Sequence, residues 1–563
     1  MHICGANTDR PCQALKLEAR ESGIIEEIRL ENSYRNPQRS PSMFDLILFE
    51  KCLAEANLTL LLNTSVVGAD ARDGLIRTAT ALRPSTEDQF TIRSKVFVDC
   101  SGDSALGVAA GAAYMQGREN RSSFGESLAQ EVEDKKTLGS TLLLMARKHE
   151  RPMPFIPPPW ARKFTEGDLR LRPHATSEVD SGLEYGFWWI EWGGQHDTIK
   201  DNEAIRDELL AIVMGVWDHI KNDGQHEAEY WALDWFGAVP GKRESRRLLG
   251  QYVLTEQDLL ECRPQPDAIG YGGWPIDMHP PEGVDKPDEP PCTTTKVPFL
   301  YDIPLRSCIA RDIKNLMFAG RNLSATHVAF ASTRIMATCA SVGEAVGIAA
   351  AYATKNNLFP ADLTSDSRAV RDIRQRLLGE DAYLIGEPYA GENDLAFSAD
   401  IRASSEQADG AAKNVISAQN RSVLGERGVP ADREIPGSHR WMSDPGQGLS
   451  AWIELRWNHP IEFRVLEIVF DSGLHRHLTL THSDAYFKSM HWGTGQPECA
   501  KDYRVEIERD RAWSGLANVK NNWQRRNRHT YPDGLTCQAL RITVDAMWGI
   551  DHARIVQVKV RNE

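Results

Sequence analysis

The chain has 563 residues, 41% of them apolar and 26% charged, enough for about three or four domains with real cores. A formal charge of −14 with no compensating Lys/Arg tract argues against a nucleic-acid or anionic-membrane partner. The ten cysteines are scattered without a CxxC pair, which removes support for a zinc ribbon, an iron–sulfur cluster or a redox dithiol, and no metal site is expected. Cys52, Cys100 and Cys339 lie in apolar or small-residue contexts and read as reduced core residues, favouring a cytoplasmic setting. No run of eighteen apolar residues occurs, and the N-terminus, MHICGANTDRPCQ, lacks a secretory pattern. The most basic stretch, Arg525–Arg526 with Arg528, reads as a solvated face.

In chain order, residues 43–56 place Phe44, Ile47, Leu48, Cys52 and Leu53 at helical spacing. Leu58–Leu62 reads as a buried strand, and Glu87–Ile92 and Lys95–Asp99 as two more. Cys100-Ser101-Gly102-Asp103 then turns into a small-residue helix, Ala105–Ala113. Residues 116–300 are crowded with Trp, Pro and Gly, as in YGFWWIEWGG and YGGWPIDMHPP, and hold an amphipathic helix over 201–220 with Ile205, Leu209, Ile212, Val213 and Val216 on one face. Aromatics beside glycines suit a substrate pocket as well as a core. A second strand–Gly–helix turn follows: the strand Leu316–Ala319, Gly320, a polar loop, and a long Ala/Gly-rich helix from about Thr333. From about residue 393, short alternating segments (Ala451–Leu455, Val465–Phe470, Tyr503–Glu508, Leu540–Val544, Ile555–Val560) predict an all-β sandwich.

The segments VFVDCSGDSALGVAAGA (96–112), GKRESRRLLGQYVL (241–254), GYGGWPIDMHPPEGV (270–284) and the run from Tyr301 to Ala351 occur in an order that resembles the FAD-dependent oxidoreductase family, over about residues 1–385. The later part, with HRWMS, AWIELRW and AMWGIDHARIVQVKV, resembles a galactose-binding-like, discoidin-type domain. Together they imply an α/β FAD/NAD(P)-binding, Rossmann-like domain (1–115 and 301–385), an inserted α+β substrate domain (116–300) and a C-terminal all-β jelly-roll sandwich (393–563). The family's opening GxGxxG strand–turn–helix is not visible, so the chain is expected to start about forty residues into the fold. A misplaced start is the preferred reading of that departure, and a truncated pseudoenzyme the second.

The resemblance implies FAD as cofactor, with Val66 near the adenine, Ser101, Gly102 and Asp103 on the adenosine side, Gly320 and Arg321 beside the ribityl-pyrophosphate, and Ile335 and Met336 opening the helix that faces the reduced flavin. Acid/base candidates are His327, Arg321 and, after the flavin-proximal loop, His2 and Cys4; a hydrogen-bonded structural role is the bland alternative for His327. Arg243 and Arg246 suit a clamp on a substrate carboxylate or a surface salt bridge, and Asp277 and His279 form a polar pair in an aromatic setting with Trp274 as a further substrate-binding candidate. The expected activity is hydride transfer between FAD and a small polar substrate, a carbohydrate-related one among the candidates. The competing reading is a non-catalytic scaffold with a vestigial flavin fold and a carbohydrate-binding sandwich. Within the sandwich, Trp452 and Trp548 are assigned to packing, whereas Trp492 and Trp523, in polar surroundings, are expected to be exposed, either to stack on a sugar or to pack on the flavin domain.

Overall fold

The structure, a computed structural model, describes residues 5–6, 16–174, 183–184, 186–480 and 489–562; His2 and Cys4 lie outside them. Among the described residues the helices Ile24–Arg35 and Pro41–Leu53 come first. The second starts where Ser40 accepts the Met43 amide proton, with Pro41 fixing the first turn. Strands Ser65–Arg72, Leu75–Arg83 and Asp88–Ile92 form an antiparallel meander. The expected strand at Leu58–Leu62 is absent. No described segment lies alongside to supply its hydrogen bonds, and Leu58, Leu60 and Leu62 instead line an exposed apolar groove with Phe49 and Leu53.

Phe97–Asp99 and Leu316–Phe318 pair in parallel, so the two strand–Gly–helix turns lie side by side. The helix after the first turn is shorter than expected, Ala105–Ala109, because the chain turns through Gly111 at φ 79°. After the second turn the expected polar loop is partly a buried helix, His327–Thr333, started by Thr326 accepting the Ala329 amide. The chain breaks at Arg334–Ile335 before the long helix Met336–Asn356. That helix packs on the Ile24–Arg35 and Ser367–Gly379 helices within a core that includes Tyr301, Phe330 and Val342.

The Trp-rich segment has its own core, built on the helix Asn202–Asn222, whose buried face carries Ile205, Leu209, Ile212, Val213 and Val216 as expected. The C-terminal strands form one continuous seven-stranded antiparallel array. Two of the expected short strands are halves of a single long one, Ala451–Phe470, which bends at register shifts between Arg456 and Ile461 and between Phe463 and Val465.

This β region is docked on the rest of the chain through buried ion pairs. Arg20 bonds Glu26 (2.5 Å) and the carbonyls of Ser472 (3.1 Å) and Gly473 (2.9 Å). Arg525 grips Asp381 (2.7 and 3.2 Å), so the supposed solvated basic run is in part a buried anchor. Both tryptophans expected to be exposed are covered. The Trp523 indole stacks on Tyr34 (4.2 Å between centroids, 6° between planes) and donates to Glu31 (2.9 Å). Trp492 is only 8% exposed, packed with Phe44, Leu478 and Ala337. Their polar sequence neighbours gave no sign of the helices that cap them.

Glu344, half-buried on the long helix, accepts the Ile24 amide proton (3.0 Å) and so caps the neighbouring helix. Burial pushes its carboxyl from 4.5 up to about 7; the Ile24 amide and Arg526 oppose this, while Glu380 and Asp381 add to it. The folded state therefore holds this proton more tightly than the unfolded chain. The associated stability is complete below the unfolded value of 4.5 and is lost as pH rises through about 7. Glu344→Gln keeps the acceptor and removes the charge. Thermal melts across pH should show it more stable than wild type by about 1–2 kcal/mol at pH 8, allowing for solvent screening, and no more stable at pH 4.5. Equal stability of the two proteins at pH 8 would refute this.

Candidate functional site

The turn after Phe97–Asp99 is organised by Asp99. Its carboxylate accepts the Ser101 amide and hydroxyl (2.9 and 2.7 Å) and the Gly107 amide (2.8 Å). Gly102 sits at φ 72°, and a Cβ there would lie 3.2 Å from the Arg321 Nε, so glycine lets the guanidinium cross the turn. Arg321, following Gly320 at φ 107°, bonds Asp103 (2.5 Å) and Ser245 (2.9 Å), and Lys242 bonds the other Asp103 oxygen (2.6 Å). Burial pushes the Asp103 carboxyl up, but Lys242 and Arg321 outweigh it and hold it at about 2. Arg321 is thus committed to an internal ion pair and is not placed as an acid or base. Val66, half-buried on the meander, packs on the core of Phe97 and Leu106 beneath this turn.

Arg243 and Arg246 do not form a clamp. They lie in the loop between the two-residue strands Gly241–Lys242 and Arg247–Leu248, which sends them to different partners. Arg246 donates to the Asp103 carbonyl (3.0 Å) and lies over Tyr114. Arg243 pairs with Glu191 (3.2 Å) and donates to the Trp188 carbonyl (2.8 Å) and to Thr141.

Around Arg243 the expected pair Asp277 and His279 is found, with three partners the sequence reading missed. The His279 ring lies between two carboxylates, Nδ1 at 2.7 Å from Glu191 and Nε2 at 3.0 Å from Asp277. Arg334 reaches both Asp277 (3.1 Å) and His279 Nε2 (3.2 Å). Trp188, 43% exposed, meets the His279 ring edge-on at 5.7 Å. Burial raises the Asp277 carboxyl, yet His279 and Arg334 hold it well below the usual carboxylate range. The Glu191 carboxyl is likewise raised by burial but kept low by Arg243 and His279. Burial and then the Asp277 charge push the Cys292 thiol up to about 12, so it is no nucleophile. Two carboxylates and two guanidiniums around one imidazole make a balanced, water-poor site able to orient a polar molecule and move a proton.

Arg334 joins this cluster to the start of the long helix. Ile335 occupies the N-cap position without a side-chain cap, so the first amide groups from Met336 onward are left for another acceptor. Just before them, Thr333 Oγ1 and Arg334 Nε are buried with no hydrogen-bond partner among the described residues, as are Trp274 Nε1 and, further along the helix, Ser341 Oγ. Trp274 otherwise contributes only its carbonyl, which accepts the Ser332 hydroxyl (2.5 Å). Uncapped amides and orphaned polar groups at a helix start fit a polar, electron-rich ring system such as a flavin. His327 belongs elsewhere. It is 2% exposed, its Nδ1 is 3.0 Å from buried Glu244, and its amide donates to Glu119 (2.8 Å), which also binds Arg247. His327 is thus engaged with Glu244 and outside the Arg334 cluster, and a charge in the apolar run ASTRIMATCA was the available signal for Arg334.

No curated protein sequence matches the chain. Solved structures similar to it include the family 32 carbohydrate-binding module of Clostridium perfringens NanJ, solved with galactose (10% identity, 30% of this chain and 96% of that one, TM-score 0.21). Others are the family 32 module of Streptococcus pneumoniae EndoD (14%, 29% and 96%, TM-score 0.21) and a chitosan-binding module from a Paenibacillus chitosanase/glucanase (12%, 30% and 100%, TM-score 0.20). The family model for FAD dependent oxidoreductases matches residues 3–377, which takes in the paired turns, the Arg334 cluster and the uncapped helix, and the chain belongs to that family.

Proposed function

We propose that this protein is a flavin-dependent oxidoreductase that passes a hydride between FAD and a small polar, carbohydrate-related substrate. The observation that carries the reading is Arg334: one side chain links the helix start that fits a flavin to the buried Glu191–Arg243–Asp277–His279 cluster. When bound, the flavin supplies the hydride-accepting centre. The amides at Met336 onward would hold its electron-rich edge, and Gly320 and the Ser101–Asp103 turn would lie along its ribityl and adenosine portions. His279, oriented by Glu191 and Asp277, holds and moves the substrate hydroxyl proton, taking over the role expected of His327. Arg243 and Arg334 position polar substituents, and the exposed Trp188 face offers a platform for a sugar ring.

Purified full-length protein should carry FAD, or take it up on incubation, and then show flavin absorbance that bleaches anaerobically with members of a sugar and sugar-acid panel. Folded protein that neither retains FAD nor quenches its fluorescence on titration would end this reading.

A further inference from the structure

A second constellation of ionisable groups stands in the inserted segment, made of different residues from the Arg334 cluster. Thr165 and Asp168 form a capping box that opens the short helix Glu166–Leu169 and sets Glu166 in its first turn. His174 follows, its Nδ1 donating to the Arg172 carbonyl (2.7 Å), which turns Nε2 toward Glu166 at 3.6 Å. His219 lies in the last turn of the Asn202–Asn222 helix, with the Asp223 carboxylate against its Nδ1 and its Nε2 at 3.4 Å from Glu166. His226, in the following loop, brings its Nε2 to 3.0 Å from Glu166 and 3.1 Å from His219 Nε2. The three rings are buried with centroids 4.8–5.2 Å apart, and one ligand atom from each of the four residues lies within 4.8 Å of all the others.

Protons alone satisfy this arrangement poorly. Three imidazole Nε2 atoms and one carboxylate face a common point, and where two Nε2 atoms meet only one can donate. A central cation satisfies all four lone pairs at once. Metal–ligand bonds of about 2.0–2.1 Å give a tetrahedron with edges of about 3.3–3.4 Å. The contacts of Glu166 Oε1 with His226 (3.0 Å) and His219 (3.4 Å) and the His219–His226 contact (3.1 Å) lie close to that value, while His174 meets the other Glu166 oxygen (3.6 Å) and its ligand atom stays within 4.8 Å of the rest. The Arg172 carbonyl and Asp223 behind the Nδ1 atoms are the kind of outer partners that orient ligating histidines. Imidazole-rich ligation fits zinc among the metals imidazole suits, and four protein ligands with no position left open fit a structural role although no cysteine takes part.

We propose that Glu166, His174, His219 and His226 bind one zinc-class divalent ion that ties residues 166–174 to the end of the Asn202–Asn222 helix. The tie leads toward the polar cluster, since Arg172 in turn donates to the Gly283 carbonyl (2.8 Å), beside the Glu191 backbone. The sequence offered no warning, because His219 and His226 are seven apart and the other ligands lie far upstream.

Full-length protein purified without chelator should contain about one zinc per chain by elemental analysis. After stripping with EDTA, it should regain one zinc in competition with a chromophoric chelator, rise in Tm by several degrees, and give the intense visible bands of tetrahedral cobalt on Co2+ addition. Glu166→Gln, at an exposed ligand, should fold and bind zinc at least tenfold more weakly, and His219→Gln/His226→Gln should bind none. The proposal is overturned if stripped wild type takes up no more zinc than the double variant, or if cobalt gives only weak octahedral bands. Should the double variant fail to fold, unchanged zinc affinity in Glu166→Gln overturns it equally. Neither readout depends on flavin or substrate.

Discussion

Asp381→Asn should cost about 3–5 kcal/mol, a large part of the ~5–15 kcal/mol that holds a typical domain folded. Asp381 and Arg525 are each almost fully buried and bonded through two contacts, and the Asn420 amide donates to the same Asp381 carboxylate (2.9 Å). Removing the anion leaves the guanidinium with neutral acceptors only, the carbonyls of Phe470 (3.1 Å) and Asn420 (2.7 Å) and at most the one oxygen of the new amide, in a buried site. Asparagine tolerates the φ of 68° at this position, so the change tests charge and not backbone strain. Urea denaturation should show a lower midpoint, and Arg525→Met added to Asp381→Asn should recover part of the loss. A single variant within 1 kcal/mol of wild type would mean that the pair is solvated and that the β region is only loosely attached.

The second large effect is on chemistry. His279→Gln should slow anaerobic flavin reduction by about 10²–10⁴-fold, the usual contribution of a positioned acid or base. FAD affinity should stay within a few-fold, because His279 bonds Arg334 and not the helix amides proposed to hold the flavin. Arg243→Met should instead act mainly on KM, since its guanidinium faces Glu191, Thr141 and the Trp188 carbonyl and not His279 itself. A flat pH profile for His279→Gln, against a sloping one in wild type, separates proton transfer from mere positioning. If His279→Gln reduces flavin at the wild-type rate and His327→Gln does not, His327 and not His279 moves the proton.

The parts of the molecule legible in the sequence are those fixed by local pattern. The apolar stripe from Ile205 to Val216 announced its helix, and the alternation at Tyr503–Glu508 its strand. The two Gly turns, at Gly102 and Gly320, were each legible as the end of a strand, but the pairing of those two strands was not. What stayed hidden depends on contacts between distant residues. Glu191 and His279 meet across 88 positions, and Trp523 finds Glu31 across 492. Nothing in NNWQRR tells of a helix from the other end of the chain lying on that indole. The Arg243/Arg246 split was equally opaque, because a tight loop between two-residue strands decides which way each side chain leaves. Leu58–Leu62 failed in the opposite direction, its apolar run meeting the pattern of a strand without a neighbour to pair with.

Trp492 and Ala337 share one apolar cluster, so a loop of the β region rests on the first turn of the very helix assigned to the flavin. Excising residues 400–561 by recombination would uncover that turn and strip partners from Arg20, Glu18, Glu31 and Asp381 together. The C-terminal strands are therefore built into the rest of the chain, and their removal is expected to destabilise the first 385 residues and not merely to detach a module.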